Sequence, residues 1–146
     1  MIEIRDMELK DIDRVMEIES KTFIAPWKKD EMLYEFNDNK FANMAVILKD
    51  NVIAGFYDYW VTFDSATIAQ IAIDPLYQRQ QLGSLLMKEI LTDAKNKKVR
   101  TITLEVRKNN EKAVNLYLKY GFKQTLIKEK YYSNGDDAIY MIKELY

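Results

Sequence analysis

The chain predicts an α/β (α+β) protein with a single mixed, mainly antiparallel sheet flanked by helices, in the order β-α-α-β-β-β-α-β-α-β-β. Three observations lead there. Short runs with period-two alternation or continuous apolar character are separated by stretches in which apolar residues recur at helical spacing. A strand, a long helix and another strand follow one another from Thr67 to Val106, a βαβ unit whose strands should be parallel. Hairpin-like pairs stand before and after that unit, and they supply the antiparallel share of the sheet.

The elements can be justified in order. Ile2 to Arg5 reads as a strand, and Lys10 to Lys21 as a helix that buries Ile12, Val15, Met16 and the Ile18–Glu19 step. A break at Ala25-Pro26 precedes a second helix, about Lys28 to Asn37. Phe41 to Lys49 and Val52 to Phe63 read as strands joined by a two-residue turn, Asp50-Asn51. A second turn, Asp64-Ser65, leads to a strand from Thr67 to Ile73. A helix from about Gln81 to Asn96 carries the chain to the strand Arg100 to Val106. The next helix, about Asn110 to Tyr120, stops at Gly121, a residue suited to the left-handed position after a helix. Strands Phe122 to Tyr132 and Ala138 to Lys143 flank the turn Ser133-Asn134-Gly135-Asp136. No linker, repeat or low-complexity tract interrupts the 146 residues, so one domain over 1–146 is expected.

Composition excludes several chemistries. There is no Cys, hence no disulfide, cysteine nucleophile or thiolate metal site. There is no His, hence no Ser-His-Asp triad, no histidine zinc motif and no imidazole base. No metal is expected, and acid–base work falls to carboxylates, Tyr, Lys or a chain terminus. A net charge of -1 gives no electrostatic footprint for nucleic acid. The start, M-I-E-I-R-D-M-E-L-K, lacks the pattern of a signal or transit peptide, and no apolar run approaches membrane-spanning length. A cytoplasmic protein is the resulting expectation.

The most informative segment runs from Ile71 to Met87, I-A-I-D-P-L-Y-Q-R-Q-Q-L-G-S-L-L-M. A short strand breaks at Asp74-Pro75, passes through a polar turn and enters a helix with Leu82, Leu85, Leu86 and Ile90 on one side. Such a turn can aim backbone N–H groups and the positive end of a helix dipole at one point, and phosphate suits that point. A strand-to-helix connection with nothing bound is built the same way. In T-I-T-L-E-V-R, Ile102, Leu104 and Val106 alternate onto one face and leave Glu105 on the other. A carboxylate there is either employed or ion-paired with Arg107 or a nearby Lys. Tyr117 follows on the stripe Ala113, Tyr117, Tyr120, where it can serve as core or present its hydroxyl at the same rim.

Taken together, these pieces resemble the GNAT superfamily of acetyl-CoA-dependent N-acetyltransferases and, within it, the RimI-type peptide N-terminal acetyltransferases. The resemblance spans essentially the whole chain. It rests on A-P-W at 25–27, I-A-I-D-P-L-Y-Q-R-Q-Q-L-G at 71–83, L-E-V-R at 104–107, N-N-E-K-A-V-N-L-Y-L-K-Y-G-F at 109–122 and Y-Y-S-N-G-D-D-A-I-Y-M at 131–141. It implies a GNAT-like fold and acetyl-CoA as cosubstrate. Gln78, Arg79, Gln80, Gln81, Leu82, Gly83 and Ser84 would then cradle the CoA pyrophosphate. Backbone of Ile71, Ala72 and Ile73 would pair with the pantetheine arm, and Asn110 would contact the cofactor from the other side. Glu105 would act as general base through water, and Tyr117 would protonate the departing thiolate. Trp27, Tyr131 and Tyr132 would line an aromatic groove for an extended peptide end. The implied acceptor is a protein or peptide N-terminus, in particular that of a ribosomal protein beginning with a small residue. The residues leave the oligomeric state open.

The pattern has Gly where this chain has Gln81. If that position is ordinary right-handed helix, Gln costs little there, and Gln81→Gly should slightly destabilise the protein. Other readings are an acetyltransferase for a small-molecule amine or a lysine side chain, and a non-catalytic acyl-CoA-binding regulatory module. Retention of both Glu105 and Tyr117 argues against the last.

Overall fold

The computed structural model describes residues 1–146, and its seven strands form one sheet in the order β1-β2-β3-β4-β5-β7-β6. The chain divides into two compact units, Met1–Trp60 with Ala69–Ile90, and Val61–Ile68 with Leu91–Tyr146. The element order anticipated from the sequence is the one found.

In the first unit, β1 (Ile2–Asp6) pairs antiparallel with β2 (Ala42–Lys49), which pairs antiparallel with β3 (Val52–Thr62). The β2–β3 turn is Asp50-Asn51, with φ of 50° and 69°, the left-handed pair that a tight hairpin requires. Helix α1 (Ile12–Thr22) starts two residues later than its apolar pattern suggests, because Leu9–Asp11 forms a 3-10 turn. Asp11 holds that turn by accepting from Glu8 N–H at 2.8 Å and from both Arg5 nitrogens at 2.7 and 2.9 Å. Helix α2 (Lys29–Asn37) follows. Met7, Ile12, Val15, Ile18, Met32, Val46, Phe56 and Ala72 form the core of this unit.

In the second unit, the end of β3 turns at Phe63-Asp64, one residue earlier than expected, and β4 (Ser65–Ile73) begins at once. Long-range pairing overrides the local signal. The Asp64 carbonyl accepts from Arg100 N–H at 2.7 Å, and Ser65 already pairs in parallel with Thr101 of β5 (Thr101–Arg107). That ladder runs to Ile68↔Leu104, so the last five residues of β4 lie past its end. Helix α3 (Leu82–Asn96) begins in the first unit, where Leu82, Leu86, Met87 and Ile90 are buried, and ends in the second, where Ala94 is buried. Helix α4 (Glu111–Lys119) is capped by Asn110 and followed by Gly121 at φ 91°. The antiparallel pair β6 (Lys123–Lys128) and β7 (Ala138–Glu144) completes the sheet, with β7 beside β5. Strand β6 is shorter than the run Phe122 to Tyr132 suggested. Lys130 has φ 49° and donates its N–H to Asp137, which ends the ladder and leaves Tyr131 and Tyr132 in a loop.

One buried acid pair in the first unit carries a pH signature. Asp58 of β3 has no solvent exposure, and Glu35 of α2 accepts from Trp60 Nε1 at 2.6 Å and from Asn39. Burial, then the neighbouring Glu35 carboxylate, pushes Asp58 up to about 9. Asp58 is therefore a neutral acid at pH 7. The folded state keeps a proton that the unfolded chain releases near pH 4, so this group's stabilisation is full below pH 4 and is lost as pH rises through about 9. The amide of Asp58→Asn mimics the neutral acid without titrating. Its stability relative to the wild type should rise with pH between 5 and 9, by up to about 1.4 kcal/mol per pH unit in urea unfolding. Parallel pH curves for the two proteins would show that Asp58 folds ionised.

Candidate active site

In the first unit, the site begins where β4 ends. Gly55 of β3 permits the approach of that end: a Cβ there would stand 2.5 Å from the Ala72 carbonyl oxygen and 2.5 Å from Ile73 Cδ1. Gly55 thus sets the position of Ile71–Ile73. The sequence reading passed over it, although an isolated Gly within a strand pattern is the signal for close backbone approach.

The next residue, Asp74, is fully buried, accepts from Leu76 N–H at 3.0 Å and is ion-paired to Arg14 at 2.7 Å. Burial pushes its carboxyl upward, but Leu76 N–H and the Arg14 guanidinium outweigh burial and hold it below the usual carboxylate range. Gln78, Arg79, Gln80 and Gln81 then form an exposed turn. Gln78 Nε2 donates to the Ile73 carbonyl at 3.4 Å, and Lys49 Nζ donates to Gln80 Oε1.

Two backbone angles decide the character of this turn. Arg79 has φ 64° and Gln81 φ 63°, on either side of Gln80. Left-handed positions alternating in this way can turn consecutive N–H groups toward one point, here just ahead of the first turn of a fifteen-residue helix. It also corrects the expectation for Gln81, which is left-handed rather than helical, and α3 starts only at Leu82. Gly83 and Ser84 lie inside the helix, and Gly83 has no positive φ. The conformational freedom of glycine is needed at 81, where this chain lacks it.

In the second unit, β5 carries Glu105 on its more exposed face, as the alternation indicated. Its Oε1 accepts from Lys128 Nζ at 2.9 Å. Of the two kinds of ion-pair partner considered, the Lys is the one observed. Arg107 turns elsewhere, to Asp136 and Asn134 at 3.0 Å each, and covers the Tyr132 ring at 3.8 Å. Hydrogen bonding to Glu105, then charge, holds Lys128 protonated to higher pH than usual. Tyr131 and Tyr132 meet edge to face, with ring centroids 5.2 Å apart.

Tyr117 is 7% exposed and packs edge-on against Phe122. Burial, then Tyr132, raises its phenol well above the usual range, so it stays protonated at any working pH. Asn110 accepts from Ala113 N–H at 3.3 Å as the cap of α4, which occupies its side-chain oxygen and leaves its amide to donate.

Trp27 belongs to a different group from the two loop tyrosines. Its N–H donates to Glu19 at 2.9 Å, and it lines a cavity of about 360 Å³ with Asp30, Glu31, Tyr34, Glu35 and Trp60. Three aromatic and three acidic side chains suit a cation. Trp27 thus lies in an acidic, aromatic cluster of the first unit, and Tyr131 and Tyr132 form a ring pair in the second. Trp60 and Glu35 are 25 residues apart and carry no sequence signal that joins them.

The left-handed angle at Gln81 reverses the stability expectation for its replacement. A non-glycine residue costs about 1–2 kcal/mol there, which exceeds the 0.5–1 kcal/mol entropy penalty of glycine. Gln81→Gly should therefore be more stable than the wild type by about 0.5–1 kcal/mol in denaturant unfolding. A loss of stability would mean that the angle relaxes to helical in solution.

Residues 12–122 match the Acetyltransferase (GNAT) family model. A Bacillus subtilis (strain 168) protein, named provisionally as a [ribosomal protein bS18]-alanine N-acetyltransferase, is 42% identical over 94% of this chain and 92% of its own length. The Escherichia coli (strain K12) protein named [ribosomal protein bS18]-alanine N-acetyltransferase is 33% identical over 94% of each chain. The crystal structure of the ribosomal-protein-S18-alanine N-acetyltransferase from Escherichia coli superposes with a TM-score of 0.92 at 30% identity, covering 99% of this chain and 94% of that one. With the family model spanning most of the sequence and near-full-length relatives above 30% identity, the chain belongs to the GNAT acetyltransferase family.

Proposed function

We propose that this chain, as one catalytic domain over 1–146, transfers the acetyl group of acetyl-CoA to the α-amine of a protein N-terminus in the cytoplasm, with the N-terminal alanine of ribosomal protein bS18 as acceptor. The observation that carries this reading is the near-full-length similarity to relatives named for that reaction. No helix is long and apolar enough to cross a membrane, which accords with a cytoplasmic acceptor.

The mechanism draws on groups this chain possesses. Backbone N–H groups from Gln78 to Ser84 bind the CoA pyrophosphate, a role the alternating angles at Arg79 and Gln81 support. Backbone of Ile71, Ala72 and Ile73, past the end of the β4–β5 ladder, pairs with the pantetheine arm, and the Asn110 amide donates to the cofactor. The acceptor arrives mostly as an ammonium, since an α-amine has a pKa of about 8. Glu105 takes one proton from it through water, and the freed amine attacks the thioester carbonyl. As the carbon–sulfur bond breaks, the Tyr117 phenol donates its proton to the thiolate, while the second amine proton passes to solvent. Without Cys or His, the chain offers no acyl-enzyme route of the usual kinds, so transfer is direct. Tyr131 and Tyr132 contact the peptide near Glu105, and Trp27 contacts it through its own cluster.

The acidic, aromatic cavity at Trp27 favours a second reading in one respect, because a small polycationic amine would also suit it. Both readings need a base.

Glu105→Gln keeps size and removes basicity. It should lower turnover at neutral pH by about 10²-fold or more, with acetyl-CoA affinity unchanged in calorimetric titration. Unaltered turnover would transfer the role of base to another group.

A further inference from the structure

The carboxylate assigned as base already holds a primary ammonium. Lys128 Nζ lies 2.9 Å from Glu105 Oε1, 4.7 Å from the Tyr131 ring centroid and 5.5 Å from that of Tyr140. Tyr140 sits directly across from Glu105 in the β5–β7 register, so two of the three groups are fixed by the sheet. A carboxylate with two aromatic rings around one –NH3⁺ is the composition of an ammonium-binding site, combining charge-assisted hydrogen bonding with cation–π attraction. The other nearby cation is committed elsewhere, since Arg107 is held by Asp136 and Asn134 and stacked on Tyr132.

Lys128 is far less confined. It is the last residue of β6, an outer strand of the sheet, its side chain is 34% exposed, and its four-carbon stem is flexible. The α-ammonium of an acceptor carries the same charge and the same three donors as this ε-ammonium.

Resting on the assignment of Glu105 as base, we propose that Glu105, Tyr131 and Tyr140 form the receptor for the acceptor's α-ammonium, and that Lys128 occupies it in the free enzyme as a built-in competitor. The acceptor enters by exchange. Lys128 swings into solvent, and the incoming ammonium takes its place beside the carboxylate, to which it then gives up a proton through water. The resident cation keeps the carboxylate and the two ring faces in a binding-competent arrangement between turnovers. It also sets a threshold, because only a primary ammonium that finds further contacts along its chain displaces an ammonium that is covalently always present. Lys128 is thus a positioning residue that acts on acceptor affinity and takes no part in bond making.

Lys128→Met removes the charge and keeps the length of the stem. A partly exposed ion pair of this kind weakens a competing ligand by roughly two- to fivefold. The KM for a short peptide with a free N-terminal alanine should therefore fall by about that factor, with kcat and the KM for acetyl-CoA within about twofold of wild type. Lys128→Arg, which restores a cation, should return the KM to at least the wild-type value. Calorimetry of the same peptide on CoA-loaded enzyme should show the affinity gain in Lys128→Met and its disappearance when Glu105→Gln is added, because the competition requires the carboxylate. Lys128→Gln provides the same comparison should the Met variant fold poorly. An unchanged or raised peptide KM in the charge-free variants would overturn the exchange. If that result came with a large turnover loss in Glu105→Gln, only the exchange would fall. If Glu105→Gln kept full turnover, the base assignment and the inference would fall together.

Discussion

The ion pair between Arg14 and Asp74 is the constraint on which the first unit's candidate residues depend. Asp74 has no solvent contact, and an unpaired carboxylate there would be prohibitively costly. Arg14 reaches it from α1 at 2.7 Å while also donating from Nε and Nη2 to the Ile53 carbonyl of β3, at 3.1 and 2.9 Å. One guanidinium thereby ties a helix, the strand carrying Gly55 and the end of β4. Asp74 also receives Leu76 N–H with its side chain and donates its own N–H to the Ala54 carbonyl at 2.8 Å. The strand must stop here, and the chain must turn. Everything attributed to the backbone of Ile71–Ile73 and to the Gln78–Gln81 turn presupposes this anchor.

The chemistry divides between backbone and side chain accordingly. Anion binding requires only N–H groups in a strained, outward-facing turn, so Gln78, Arg79, Gln80 and Gln81 can keep exposed side chains there. Proton transfer requires titratable side chains, and in a chain without His or Cys the groups proposed for it are a solvent-accessible carboxylate and a buried phenol. The environments of Glu105 and Tyr117 differ in the expected sense. Glu105 is accessible to water and to a cation, whereas Tyr117 is buried and keeps its proton, as the proposed roles of base and acid require.

Much of this was legible in the residues because the determinants were local. Asp50-Asn51 adopts the left-handed pair its residue types favour, and Asn110 and Gly121 bracket α4 by cap chemistry alone. The alternation in T-I-T-L-E-V-R assigned both faces of β5 correctly. Features set by distant partners were not legible. Phe63-Asp64 turns early because the Asp64 carbonyl meets Arg100 N–H, and β6 stops early because Asp137 takes Lys130 N–H. The neutral acid at Asp58 arises from burial within the fold and from the Glu35 carboxylate that α2 brings beside it. Lys128 could be anticipated only as one of several lysines, and the cavity that Trp27 lines with Tyr34 and Trp60 joins positions that no local pattern associates. Gln81 was misjudged for a different reason: the family pattern marks a glycine position, and the left-handed angle persists here although the glycine is gone.

The central claim is that the acceptor nitrogen is the α-amine of a protein N-terminus. The most direct measurement is tandem mass spectrometry of products after incubation with acetyl-CoA and a peptide bearing the bS18 N-terminus, with spermidine and an N-terminally formylated form of the same peptide as competitors. The account predicts a single acetyl group on the alanine α-nitrogen, and none on the formylated peptide even where it retains free lysines. Acetylation of lysine side chains in the formylated peptide, or of spermidine in preference to the free N-terminus, would contradict it.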